Sequence, residues 1–174
     1  MALIRTLNGI HPKYTESCWF AENAVVIGDV EMGEECTVWY HAVIRGDVNS
    51  IKIGHRVNIQ DHAMIHCTYQ RAATTIGNEV SIGHRAIVHG CTLQDRCLIG
   101  MGAIVMDHAI VEEGSIVAAG AVVVENTMVE GGYIYAGIPA RKIKPVGDRA
   151  DMISRIAGNY VKYASWYQDG QNSI

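Results

Sequence analysis

"LIGMGAIVMDHAIVEEGSIVAAGAVVVENT", residues 98–127, is the stretch that decides the architecture. An aliphatic residue recurs every six positions in it: Ile99, Val105, Val111, Val117 and Val123. Four places after each stands a small residue: Ala103, Ala109, Ser115, Ala121 and Thr127. A helix requires apolar residues three or four apart, and a half-buried strand requires strict alternation. A period of six meets neither demand. It suits a coil of short strands, each forming one side of a prism and turning apolar residues inward.

Working outward, the same pairing runs from Phe20/Ala24 to Ile44/Val48, from Ile53/Val57 to Ile65/Tyr69, and from Ile76/Val80 to Val88/Thr92. A loop near 70–75 and a one-residue slip before Leu93 interrupt it. Glycine often follows the aliphatic residue (Gly54, Gly77, Gly83, Gly100), which is read as the place of sharp turning. Three six-residue sides make a triangular coil of about 18 residues. A β-sandwich would instead need turns every 8–12 residues or so and alternating strands.

The expectation is an all-β solenoid, a parallel β-helix, over 1–147, closed by Pro139 and Pro145. The segment 148–174 is expected to be a helical piece packing on it, running from Asp148 as N-cap to Gln168. Its stripe of Ile153, Ile156, Ala157, Tyr160, Val161 and Ala164 has helical spacing.

A net charge of −4 argues against a nucleic-acid partner. No signal-like apolar stretch and no long apolar run argue against a membrane. Five cysteines without a CxxC spacing point to a reducing compartment, with a cytoplasmic location as the default.

Counting hexads gives each polar residue a face. Hexads beginning at 53, 59 and 65 take faces one, two and three. If the loop bulges out, those at 76, 82 and 88 repeat them. His66 and His89 then stack on face three, about one strand spacing of 4.8 Å apart. Arg45 joins their column. His84 lies round the corner on face two, in line with Asp61 and beside Gln60. His84 cannot easily reach the pair in its own chain, but a threefold-related neighbour could offer it. Three histidines with one open position are the ligand set of a catalytic zinc. The competing reading is chance alignment, since the chain holds eight histidines. His41, His55, His62 and His108 read as surface hydrogen-bonders, and Cys67 and Cys91 as packing residues.

At "VIRGDV" (43–48), "NIQD" (58–61), "IH" (65–66), "IGHRAIVHGC" (82–91) and "NY" (159–160), the chain resembles the γ-class carbonic anhydrases. The resemblance implies a left-handed β-helix homotrimer with zinc, or iron or cobalt, at each interface. It implies His66 and His89 as ligands from one chain and His84 from the next. Arg45 and Asp47 would form the interface ion pair. Gln60 and Asn58 would orient water or substrate, Asp61 would support a ligand, and Tyr160 would lie near the metal. The implied reaction is reversible hydration of carbon dioxide to bicarbonate by a metal-bound hydroxide. The chain departs from the family's archaeal pattern at Val48 and in the loop "CTYQRAATT" (67–75), both without a carboxylate. Glu79 is the nearest acid in sequence, so the proton shuttle has no assigned residue. Two alternatives stand beside this: a hexapeptide-repeat acyltransferase, and a non-catalytic metal-binding trimeric scaffold.

Overall fold

The computed structural model describes residues 1–168; the last six residues of the expected terminal segment, 169–174, lie outside them. Short parallel strands stack into a left-handed β-helix. Face one carries Thr74–Ile76, Thr92–Leu93, Ile110–Val111 and Met128–Val129. Face two runs from Trp19–Phe20 through Thr37–Val38, Asn58–Ile59, Ser81–Ile82, Leu98–Ile99 and Ile116–Val117 to Tyr133–Ala136. Face three carries Met64–His66, Ile87–His89, Ile104–Val105 and Val122–Val123. The long strands Val25–Met32 and Val43–Ile53 continue round the corner from face three to face one, joining both into one eleven-stranded sheet. Glycine is needed at that corner. Gly28 has φ +74°, and a Cβ there would strike the Gly46 carbonyl on the next coil.

The hexad aliphatics fill the prism. Ile44, Ile59, Ile65, Ile82, Val88, Ile99, Val105 and Val117 are all fully buried. Each contributes roughly 1.5–3 kcal/mol by leaving water. Coil stacking pairs Ile65 with Val88 and Ile59 with Ile82, in the register counted from sequence.

Turning is done elsewhere than the sequence suggests. The left-handed residue comes three places after the aliphatic one, as in Glu35, His41, Arg56, His62, Glu79, Arg85, Arg96 and His108. The glycines one place after it have ordinary φ and serve close approach between coils. A Cβ on Gly83 or Gly100 would collide with the backbone of the coil above. The inward pattern also fails at two expected positions. Tyr69 is exposed in the loop, and Cys91 rather than Thr92 takes the inward place, because Gly90 turns the chain one residue early.

At the C-terminal end, Tyr133–Ala136 pairs antiparallel with Arg141–Pro145. A 3-10 turn at Gly147–Arg149 then leads into helix α1, Ala150–Gln168. Asp148 therefore belongs to the tight turn that precedes the helix rather than capping it, a frequent opening for an α-helix. The expected stripe packs inward, with Ile153, Ala157 and Ala164 buried against face two. Glu79 pins this packing by accepting from Ser154 Oγ at 2.8 Å and pairing with Arg56 at 3.3 Å. That commits the nearest acid in sequence to a structural corner.

Candidate metal centre

Residues of face three bring the first group together. Parallel pairing sets His66 directly against His89, and Ile65 against Ile44, which places Arg45 one coil below His66. His66 Nδ1 and His89 Nε2 face each other at 3.0 Å. The outer nitrogen of each ring is already used. His66 Nε2 donates to Asp47 Oδ1 at 2.9 Å, and His89 Nδ1 donates to Asp107 Oδ1 at 2.7 Å. Each donation leaves the inner nitrogen of a neutral ring as a bare lone pair. Two lone pairs 3.0 Å apart repel unless a proton or a metal ion lies between them.

The spacing suits a metal. Two nitrogens bound tetrahedrally at zinc-like distances stand about 3.3 Å apart, so the rings need to open by only about 0.3 Å. A carboxylate on the far nitrogen is the usual support for a ligating histidine, because it fixes the tautomer and raises basicity.

Burial works to raise the Asp47 carboxyl, but bonds from His66 and Arg45 outweigh it and hold the group below its ordinary range. Asp107 behaves alike: burial is opposed by bonds from Thr68 and His89 and by the nearby Arg71 charge, and the carboxyl again sits low. Both therefore stay ionised at neutral pH. Arg45 Nη1 donates to the second oxygen of Asp47, and Thr68 Oγ1 donates to that of Asp107 at 2.6 Å. Gly90 makes room for this second support. A Cβ there would run into the Asp107 carboxylate.

The second group lies on face two. His84 Nδ1 lies 2.8 Å from Asp61 Oδ2, within ion-pair reach, on a half-exposed side chain. Gln60 is buried, its amide donates to Asn58 Oδ1 at 3.0 Å, and Asn58 in turn donates to Ser81 Oγ at 2.7 Å. Gln60, His84 and Tyr160 line a largely apolar cleft of about 500 Å³ between face two and α1. Burial, then the Asp61 charge and Tyr163, pushes the Tyr160 phenol up to about 12, so it remains protonated.

Within one chain the two groups stay on separate faces. Among the described residues no cluster of three or more metal-binding side chains forms. Asp107 is the residue the sequence reading passed over. It stands two places after Val105, one coil above His89, and counting that hexad would have found it. Arg71 and Glu125, joined at 2.8 Å, were missed as well; they line a cleft of about 340 Å³ with His89. Cys67 and Cys91 are buried, and burial pushes both thiols up, Cys91 to about 12.

No family model matches the chain. It is 41% identical over 167 residues to a carbonic anhydrase of Geobacillus kaustophilus, covering 95% of this chain and 91% of that one. It is also 40% identical over 169 residues to the mitochondrial gamma carbonic anhydrase 1 of Arabidopsis thaliana, covering 92% of this chain and 62% of the plant protein. The chain belongs to the γ-carbonic-anhydrase-like family of hexapeptide-repeat proteins. A crystal structure of a hexapeptide transferase family protein from Anaplasma phagocytophilum superposes on this family member with a TM-score of 0.91 at 37% identity, covering 95% of this chain and 98% of that one. In this family member His66, His84 and His89 each stand against their own aspartate, from three different places in the chain.

Proposed function

We propose that the chain hydrates carbon dioxide reversibly at a metal site shared between neighbouring chains of a homotrimer. The observation that carries this reading is the pair of inward-facing bare nitrogens on His66 and His89. His84 Nε2, held out by Asp61 on another face, is the third ligand, supplied by the adjacent chain. Zinc fits the all-nitrogen set, and iron and cobalt take the same ligands.

Face three supports the trimer. Its outward column Leu3, Val25, Val43, Met64, Ile87, Ile104 and Val122 is apolar along its length and flanks the histidines. A continuous apolar strip of this kind marks an association surface. A reducing, cytoplasmic location fits five free and buried cysteines.

The bound metal would supply a water that ionises near neutral pH. The chain's own residues do the rest. Asp47, Asp61 and Asp107 hold the three imidazoles in one tautomer and orientation. Gln60, anchored through Asn58, offers its carbonyl oxygen to orient water, and Tyr160 offers a neutral hydroxyl at the cleft. Arg45, beside Asp47, presents positive charge to the bicarbonate product. Hydration also releases a proton. Glu125, in the cleft next to His89, is the residue we assign to carry it away.

Carbon dioxide hydration should be followed by stopped flow on protein loaded anaerobically with zinc or iron. Metal-dependent turnover absent from His84→Ala supports the reading, and an inactive but fully metallated protein overturns it. Sharing between chains has its own test. Neither His84→Ala nor His89→Ala should retain metal, whereas trimers re-formed from equal amounts of the two variants should recover about one site in four, since about three-quarters of the rings are mixed and each mixed ring has one intact interface. The transferase name of the Anaplasma neighbour keeps acyl transfer as a second reading. Saturable acyl transfer from a thioester by metal-free protein would favour it.

A further inference from the structure

A second cleft adjoins Asp61 and shares His84 and Tyr160 with the candidate site, but the carbon dioxide reaction gives no role to its other aromatic residues. It lies between the C-terminal half of α1 and the first coils of face two, with a volume of about 270 Å³. Trp39, Tyr40, Tyr160, Tyr163, Trp166 and Tyr167 wall it. The rings meet edge-on or tilted. Trp39 and Tyr160 cross at 81° with centroids 5.2 Å apart, Tyr40 and Tyr167 at 60° and 6.1 Å, and Tyr163 and Trp166 at 40° and 4.9 Å. Core packing accounts for Trp39, which is 6% exposed. It does not account for Trp166 and Tyr167, which remain 49% and 52% exposed at the rim.

The cleft's lining pairs one carboxylate, Asp61, with one imidazole, His84. Asp61 is part of the wall, and its Oδ2 takes His84 while, among the described residues, no donor reaches Oδ1. Glu22 lies within interaction range of Tyr40. No lysine or arginine is among the lining residues. Aromatic faces carry negative quadrupole charge, and several of them converging beside a carboxylate attract a weakly hydrated cation far better than a neutral molecule.

We propose that this aromatic cleft binds a small organic cation with an alkylated ammonium head. The methyl groups fill the space between the rings, Asp61 balances the charge, and Trp166 and Tyr167 close over the head from the end of α1. Binding here goes beyond the hydration reading and needs no metal.

Choline is the probe, with 3,3-dimethylbutan-1-ol as its uncharged carbon isostere. Each is titrated into the full-length, chelator-treated protein and followed by tryptophan fluorescence and calorimetry. Choline is expected to bind saturably, and the neutral alcohol about tenfold more weakly or worse. Trp166→Ala should raise the choline Kd about fivefold or more, while Trp166→Phe retains most of the affinity. Both variants are checked for an unchanged unfolding transition. Equal affinity for the alcohol would show an apolar pocket and overturn the proposal. So would the absence of a saturable response to choline in folded protein, or a Kd indifferent to Trp166→Ala. Because the titration is run without metal, failure of carbon dioxide hydration leaves its outcome intact.

Discussion

Faces one and three share a sheet, a repeat and an inward set of branched aliphatics, yet the outer surfaces of their first coils differ. On face three the outward column is apolar from Leu3 to Val122, with His66 and His89 beside it. On face one the equivalent column reads Glu31, Lys52, Thr75 and Thr92 before turning apolar at Ile110 and Met128. Inward positions are dictated by the need to fill a narrow prism, so every face repeats them. Outward positions answer to whatever lies outside. The contrast fits the proposed assembly, in which face three meets a neighbouring chain and the first coils of face one meet water.

Charge placed on face three should break this distinction outright. Ile87→Glu is expected to leave monomers by sedimentation and to remove metal retention with them. Thr75→Glu, its counterpart on face one, should leave the assembly intact. If both variants remain trimeric, face three is not the association surface.

Substitutions inside the prism should erase the difference between the faces. Ile65→Ala behind face three and Ile76→Ala behind face one are both buried. Each should cost about 2–5 kcal/mol in denaturant unfolding of the protein. A much smaller loss on one side would mean that the coils are not packed alike.

The smallest effect separates the coil of the candidate metal site from its neighbours. Asp107→Asn keeps the shape but weakens the acceptor behind His89, and should lower metal affinity about 10- to 100-fold in a chelator competition. Asp95→Asn, whose oxygens bond Asn78 at a different corner, should not change it. Equal losses would show that Asp107 acts on stability rather than on the metal.

Much of this was readable before any coordinates. The six-residue period, the stacking of His66 on His89 and the separation of His84 from both follow from counting, because a solenoid converts sequence distance directly into position. Where counting failed, a local geometric fact intervened. The glycines at 54, 77, 83 and 100 are required by the neighbouring coil, not by a turn, and no linear pattern separates those two demands. Thr92 was placed inward because Gly90 takes its extra turn silently. Glu79 is close to the site in sequence and is instead tied to α1 by Ser154 and to a coil corner by Arg56.

The sequence by itself determined the prism, its register and which polar residues share a column, since a regular repeat leaves one way to bury its aliphatic residues. Only the tertiary structure decided which nitrogen of each histidine is free. That depends on carboxylates brought in from other coils, Asp107 above all, at distances of 2.7 to 2.9 Å that no spacing of residues encodes. It also decided that the aromatic residues of α1 converge on Asp61, because the angle at which a helix lies on a β-helix is set by side-chain packing across the whole contact.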